Sequence, residues 1–435
     1  MKAAAAAVEL LGDDKMVIAG GIFPRYAQGQ EGKLRATALI LEEGGAKLCL
    51  VSCDVLMVER EILDEAARLI EAKCSIPFAN ILIAATHTHH APSTVRVHGY
   101  DKDEGFVKQL QEAIVSAAIQ ANEKLAADAD AELHFWLSQE ATVGQNSRLL
   151  LSDGTIYWVG PRDDAIRPTG PFDPDLPVFA FRKPNGQIEA LVFNHSTHTI
   201  GTRKGNVRSP SFYGLAAQEL EEELGGTALF FLGAAGSTHN LTLSTDEMVY
   251  RIKQAVKEGL KKAKQQKVKR LIAVKEEFSY RVRTFDEEAE ERAISYYCRK
   301  RVKDKPEETI EVFRKMRKAL APHQGEVRKT WLQVMLIGDI ALVAIPGELF
   351  TSLGLDIKRL SPFRYTYIIS LANDWIGYIP DEGGFRLGGY QVWTGFHSFV
   401  ERGTGEAIVD EAVRMLTKLA EVKVRDVRDD EGSLF

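Results

Sequence analysis

The feature that most constrains this fold is a short apolar run followed directly by clustered histidines. Residues 81–85 (I-L-I-A-A) predict a buried strand, and Pro92 ends the segment because it has no amide hydrogen for a strand ladder. Side chains two apart on a strand share a face, so His87 and His89 are expected to point the same way. Together they can hold a metal, or one can bind it while the other moves protons. His90 is expected on the other face, outside the site.

Other apolar strands also end in polar residues. Residues 188–194 lead into F-N-H-S-T-H, with His195 and His198. The next strand ends in G-A-A-G-S-T-H-N, whose small residues allow close backbone approach and whose turn holds His239. This turn lacks the lysine of a phosphate-binding P-loop, which excludes a nucleotide site. Glu348, in P-G-E-L-F, is predicted at the start of a helix, either as a helix-dipole partner or as a further metal ligand.

The order of the elements predicts an α/β fold. Residues 33–53 contain a hairpin around Gly44-Gly45, and residues 61–74 form an amphipathic helix before the histidine strand. This β-α-β start indicates a parallel pair, while the hairpin requires antiparallel pairs. The chain has 435 residues, of which 45% are hydrophobic, so it can bury a large core. We expect mixed sheets, a strand-end metal site and one large catalytic unit over residues 1–435.

Charge and cysteine content exclude several classes of protein. The net charge is −6 and there is no long basic run, so neither nucleic acid nor a membrane surface is an expected partner. The four cysteines form no C-x-x-C pair, and residues 3–7 are too short for a signal peptide, so we expect a cytoplasmic protein. A small molecule is the expected partner, and a homo-oligomer stays open. We expect the charged residues 286–328 to form a helical pair, a candidate lid over the site, and residues 423–435 to form a loose tail.

Five motifs in chain order resemble the neutral, non-lysosomal ceramidase family: T-H-T-H, F-N-H-S-T-H, G-A-A-G, P-G-E-L-F and N-x-x-x-G-Y-I-P. The resemblance covers residues 18–419, which correspond to the family's catalytic region. We expect this chain to lack the family's C-terminal β-sandwich and secretion signal. We therefore expect a divergent, bacterial-type member rather than a true ceramidase.

The resemblance implies a zinc ion and assigns roles to several residues. Its ligands would be His87, His195, Glu348 and Tyr378. His89 would contact the reacting group as a proton carrier or oxyanion donor. Arg148, which by itself is typical of a solvated loop charge, and Tyr390 match family positions that bind the carbonyl side of the substrate.

The departures from the family pattern concern the pocket. Ser237 stands where the family usually has aspartate, and His239 stands where it has serine or asparagine. His198 replaces a small hydroxyl residue. Two additional imidazoles are therefore expected to line the site, which argues against ceramide as the substrate and against a serine-centred mechanism.

Three functions are compatible with these residues. The first is a zinc-dependent hydrolase of a small amide, ester or lactone, in which His89, Arg148 and Tyr390 stabilise the oxyanion and move protons. The second is a zinc-dependent isomerase or lyase acting on a sugar-like or hydroxy-acid carbonyl compound, with His239 or His198 as the base. The third is a binding protein without catalysis, which the retention of all four ligand types argues against.

Overall fold

The computed structural model describes residues 1–127 and 129–431, with side chains up to residue 421. In chain order the strands are β1 (Lys2–Leu10), β2 (Leu34–Glu43), β3 (Ala46–Cys53), β4 (Ile81–Ala85), β5 (Glu132–Gln139), β6 (Gln145–Asn146), β7 (Leu149–Leu151), β8 (Ala165–Pro168), β9 (Asp175–Arg182), β10 (Ile188–His195), β11 (Thr227–Leu232), β12 (Thr238–His239), β13 (Lys264–Gln266), β14 (Leu271–Arg281), β15 (Val327–Ile337), β16 (Ile340–Ala344), β17 (Glu348–Leu349), β18 (Tyr365–Ile369) and β19 (Tyr378–Ile379). The α-helices are α1 (Arg60–Cys74), α2 (Glu104–Ala127), α3 (Ser211–Leu224), α4 (Thr245–Lys262), α5 (Glu287–Arg301), α6 (Pro306–Leu320), α7 (Thr351–Leu360), α8 (Glu382–Leu387) and α9 (Thr404–Glu431).

The N-terminal sheet has the strand order β1-β2-β3-β4. β2 and β3 form the predicted hairpin, and β4 runs parallel to β3 after the crossover through α1, so the predicted β-α-β unit is confirmed. Side chains alternate between two apolar environments along β2. Leu39 and Leu41 face one core, whereas Ala38 and Ile40 face another. This period of two is why a strand buried on both faces is apolar throughout.

Two further sheets complete the main architecture, with strand orders β11-β10-β9-β5-β13 and β14-β15-β16-β18. Each combines one parallel pair, β10 with β11 and β16 with β18, with antiparallel neighbours. The predicted mixed α/β fold is therefore confirmed. The three sheets share one apolar core, to which they contribute Leu39, Phe179, Phe231 and Met335 among others.

Helices cover the outer faces of these sheets. Side chains of α1, α2, α3 and α4 pack on the first two sheets. Those of α7 and α9 pack on the third, through Leu353 and Ala412 among others. Among the described residues, no helix combines the length and the apolar character that crossing a membrane requires.

The polar loops after β4, β10, β11 and β16 come together at one end of this arrangement, where two short ladders fix their register. β17 pairs in parallel with β19, which places Glu348 directly beside Tyr378. β12 pairs with β6, which places His239 opposite Gln145. Glu348 was expected at the start of a helix, but it lies in a strand, and α7 begins only at Thr351. The helix-dipole interpretation of Glu348 is therefore wrong.

The charged segment 286–328 contains the predicted helical pair, α5 and α6. Its few apolar side chains, such as Ile294 and Phe313, form a small separate core with Trp393. Whether this pair moves as a lid stays a prediction. The C-terminal helix α9 runs from Thr404 to Glu431. The predicted loose tail, 423–435, thus overlaps this helix, and its last four residues lie outside the described part of the chain.

Candidate metal centre

Three histidines, a glutamate and a tyrosine meet where these loops converge. The ring nitrogens of His87, His89 and His198 lie within 4.8 Å of one another. Oε2 of Glu348 is 3.3 Å from Nε2 of His87 and 3.2 Å from Nε2 of His198. The hydroxyl of Tyr378 is 3.1 Å from Nε2 of His198, and Nε2 of His89 is 3.3 Å from Nε2 of His87. Three of the four expected ligands, His87, Glu348 and Tyr378, therefore lie together, and His198 lies among them.

Backbone carbonyl groups fix the tautomers of two of these histidines. Nδ1 of His87 lies 3.0 Å from the carbonyl oxygen of Leu56, and Nδ1 of His198 lies 2.8 Å from that of Ala235. A carbonyl oxygen can only accept, so each Nδ1 carries a hydrogen. In the neutral ring each Nε2 is then a lone pair directed at the Glu348 carboxylate. Oε2 of Glu348 is buried and has no aligned hydrogen bond from any described group.

This arrangement favours a positive charge between the three groups. Two nitrogen lone pairs and a carboxylate oxygen repel one another unless a cation lies between them. A histidine that donates Nδ1–H to a carbonyl while its Nε2 faces inward is also the common second-shell arrangement of metal-binding histidine. Ligands about 2.1 Å from a tetrahedral zinc are separated by roughly 3.4 Å, close to the observed separations. The residues present therefore fit a zinc ion.

The path of the chain differs from the one that sequence alternation suggests. β4 ends at Ala85, and His87 has a φ of 65°. This value lies in the left-handed region, which residues other than glycine rarely adopt. Its convergence with His89 therefore does not come from the two-residue period of a strand. Gly20 packs against His89 so closely that a Cβ there would lie 2.2 Å from Nδ1. His90 lies outside the cluster, as expected, and its Nε2 accepts from the amide of Gly201.

Burial dominates the electrostatics of the site. It lowers the pKa of His89 well below its usual value, and the neighbouring imidazoles lower it further. Burial also lowers the pKa of His198, against the opposing effect of Glu348. Burial alone would raise the pKa of Glu348, but positive charge and hydrogen-bond donation from His87 and His198 would hold it below its ordinary range. Burial, followed by the charge of Glu348, raises the pKa of Tyr378.

His195 does not belong to the cluster, although the family resemblance implied that it is a ligand. Its Nε2 lies 2.9 Å from the carbonyl oxygen of Glu140, and its Nδ1 is 2.5 Å from the hydroxyl of Tyr213. Both ring nitrogens are thus already used in hydrogen bonds within the core. His198, three residues later, takes the inward position, and the expected ligand set is corrected accordingly.

Arg148 is buried but does not face a substrate. Its guanidinium donates to the side chain of Gln391 at 2.7 Å and to the carbonyl of Gly388 at 2.7 Å. It also lies over the ring of Phe350. Burial lowers its pKa to about 10. Arg148 therefore holds the loop that carries Tyr390, and its expected contact with the substrate carbonyl side is revised.

His239 and Tyr390 both lie beside the cluster. The His239 ring stacks on His198 with centroids 4.1 Å apart. The Tyr390 ring is 5.8 Å from that of Tyr378. His87, His198 and Glu348 are buried, whereas His89, His239 and Tyr390 are partly exposed. The partly exposed side chains form the solvent-facing side of the cluster.

Two histidines at this site escaped the sequence analysis. Nε2 of His98 lies 3.0 Å from the hydroxyl of Tyr390. The ring of His397 stacks on Tyr390 with centroids 4.6 Å apart. Neither histidine follows a recognisable apolar strand, so the signal that revealed His87 and His198 was absent for them.

No model of a known protein family matches the sequence, and no curated protein matches it either. Solved structures do match. The neutral ceramidase from Pseudomonas aeruginosa superposes with a TM-score of 0.71 at 18% identity, covering 97% of this chain and 74% of that one. A structure described as a ceramidase complexed with C2 gives a TM-score of 0.72 at 17% identity, covering 97% of this chain and 75% of that one.

The chain has the neutral ceramidase fold. The resemblance that five short motifs indicated is thus confirmed at the level of the fold. In this chain the ends of several strands from different sheets meet at one site, which holds a group of histidines suited to a metal ion. Because identity is below one fifth, the identity of the metal and the reaction are argued from the residues of this chain.

Proposed function

We propose that this chain is a zinc-dependent hydrolase that cleaves an amide bond in a small, polar substrate. The observation that carries the proposal is the pair of imidazole lone pairs, from His87 and His198, that face the buried carboxylate of Glu348. The fold shared with ceramidases supports amide hydrolysis. The apolar core common to all three sheets supports a single catalytic unit.

The proposed ligands are His87, His198, Glu348 and Tyr378. Each has its donor atom within 3.3 Å of another member, and all four are buried. When bound, zinc supplies Lewis-acid activation of water and of the substrate carbonyl. His89 is proposed as the proton carrier because it lies next to His87 and is partly exposed on the substrate side.

The reaction conserves atoms and charge with these groups alone. Water attacks the carbonyl carbon, a carbon–oxygen bond forms, and His89 accepts the proton that the water loses. The carbon–nitrogen bond then breaks, and His89 returns that proton to the leaving nitrogen. The products are a carboxylic acid and an amine. His239, stacked on His198, forms a polar wall beside the reacting group.

A polar substrate fits this site better than ceramide does. His239 adds a partly exposed imidazole where the family pattern has serine or asparagine. Burial of long acyl chains, by contrast, depends on apolar contact worth roughly 25 cal/mol per Å². We therefore propose short N-acyl compounds as substrates. Location in the cytoplasm remains a prediction.

Metal content tests the proposed ligands directly. The purified chain should contain about one zinc, and His198→Ala should remove it because one of two nitrogen donors is lost. His195→Gln is the matched control. Glutamine can still bond the Tyr213 hydroxyl and the Glu140 carbonyl, so the metal should stay. Loss of zinc from the His195 variant with retention in the His198 variant would restore the original ligand set.

A substrate panel tests the reaction. Zinc-loaded protein should hydrolyse short N-acyl compounds and leave detergent-dispersed long-chain ceramide largely intact. Efficient cleavage of ceramide, with no turnover of the soluble panel, would refute the polar-substrate proposal. Deuterium incorporation from solvent without hydrolysis would instead identify an isomerase or lyase.

A further inference from the structure

Tyr390 is held in one orientation by two stacked rings and one hydrogen bond. Trp158 stacks on its ring with centroids 4.6 Å apart and planes 3° from parallel, and His397 stacks at 4.6 Å and 20°. Two rings stacked in this way occupy its two faces. His397 also has its Nε2 3.0 Å from the Tyr390 carbonyl. Because the ring cannot turn, the Tyr390 hydroxyl stays within hydrogen-bond distance of His98.

The proton on that hydroxyl has a defined direction. Nδ1 of His98 lies 2.9 Å from the carbonyl oxygen of Gly21, which can only accept, so Nδ1 carries a hydrogen. Burial lowers the pKa of His98 to about 4, so the ring is neutral at neutral pH and its Nε2 is an acceptor. Tyr390 has a single hydroxyl hydrogen, and it donates that hydrogen to His98 over 3.0 Å.

This proton arrangement changes what Tyr390 can offer a substrate. With its hydrogen committed to His98, the hydroxyl oxygen presents lone pairs in its remaining directions. A lone pair stabilises a hydrogen-bond donor, such as an N–H group, and repels a carbonyl oxygen or a developing oxyanion. Tyr390 is therefore unsuited to donate a hydrogen bond to the oxyanion, the role that the hydrolase hypothesis gave it.

We propose that His98 is a positioning residue that makes Tyr390 a hydrogen-bond acceptor for the N–H of a secondary amide, and that this pair selects amides over esters and lactones. The proposal rests on the proposed hydrolase function and specifies its substrate class. An ester has no hydrogen at the corresponding oxygen, so it leaves the Tyr390 oxygen without a partner and places two lone pairs against each other.

Matched substrates test the selection. A short acyl chain is presented as its N-benzyl amide and as its benzyl ester, and kcat/KM is measured for both with zinc-loaded protein. Tyr390→Phe should lower kcat/KM for the amide about tenfold, because the amide loses a hydrogen bond. The value for the ester should stay the same or rise, because the ester loses only a lone-pair repulsion. An equal loss for both substrates would show that Tyr390 stabilises the oxyanion, and would overturn the proposal.

Variants of His98 separate positioning from structure. His98→Leu removes the acceptor, so the amide-to-ester ratio should fall as in Tyr390→Phe. His98→Gln can accept the tyrosine proton through its side-chain carbonyl and should restore most of the ratio. Equal amide-to-ester ratios in both variants and the unmodified protein, with zinc content and thermal midpoint preserved, would refute the role of His98.

A measurement without substrate tests the role of His98 separately from the proposed hydrolase function. Nitrogen-15 NMR of the folded, zinc-loaded protein should show His98 as the Nδ1–H tautomer between pH 6 and pH 8. An Nε2–H tautomer or a charged ring would overturn the proposal even if amides are cleaved. Absence of any hydrolysis would refute the proposed function and the selection together, whereas the Nδ1–H tautomer would still establish the orientation of Tyr390.

Discussion

Asp54 offers a test of the electrostatics beneath the histidine segment. It follows β3, and only 7% of it is exposed. One carboxylate oxygen lies 3.3 Å from the hydroxyl of Thr86, next to His87, and the other accepts from the amide of Arg35 at 3.0 Å. Burial raises the pKa of Asp54 from 3.8 to about 7, against the opposing charge of Arg35 and with a small contribution from Glu221.

The sign of the effect follows from proton binding. Between pH 4 and pH 7 the folded protein keeps a proton on Asp54 that the unfolded chain has lost, so the free energy of unfolding falls as the pH rises. The stabilisation is complete below the unfolded pKa of 3.8 and is lost above pH 7. A rise from 3.8 to about 7 corresponds to at most roughly 4 kcal/mol, at about 1.4 kcal/mol for each pKa unit.

Asp54→Asn removes the titration and keeps the shape of the side chain. Urea unfolding of both proteins from pH 4 to pH 8 should give a stability difference that grows with pH in favour of the variant, by up to about 4 kcal/mol. Asp101, whose side chain is 81% exposed, provides the control, since Asp101→Asn should change stability little at any pH. Parallel curves for Asp54→Asn and the unmodified protein would refute the reasoning.

Three further substitutions test the site. His89→Ala should keep the zinc and the fold but lower turnover roughly a hundredfold or more; loss of zinc would make His89 a ligand. Gly20→Ala should lower kcat without removing zinc, because its Cβ would lie 2.2 Å from Nδ1 of His89 at a φ of 91°. Gly44→Ala, at a φ of 57° with no atom within 4 Å of its Cβ, controls for backbone strain alone, and equal rates in both variants would contradict the collision. Arg148→Lys should cost about 1–3 kcal/mol of stability in urea unfolding, because lysine cannot reach Gln391 and Gly388 together; unchanged stability would show that these bonds contribute nothing.

Local pattern determined the strands and the end of the sheet at which the site lies. The apolar run at residues 81–85 coincides with β4, and the hairpin and the helix before it were predicted because their periodicity is a property of neighbouring residues. Glu348 and Tyr378 could be selected as partners from the motif resemblance, and the β17–β19 ladder places them side by side.

Only the tertiary structure decided which histidine enters the site after β10. His195 and His198 are three residues apart; the strand pattern favours neither, and the motif resemblance favoured His195. The choice depends on Tyr213 and Glu140, which arrive from distant parts of the chain and bind both ring nitrogens of His195. The Ala235 carbonyl orients His198 in the same way.

The pairing of His98 with Tyr390 could not be predicted from the sequence either. His98 and Tyr390 are 292 residues apart, and neither lies in a periodic apolar pattern. The sequence shows that Tyr390 is present and that its hydroxyl has one hydrogen to donate, but not to which group. The direction of that hydrogen is set by the Gly21 carbonyl through His98, because a hydrogen bond depends on where atoms from separate segments meet in space rather than on their order along the chain.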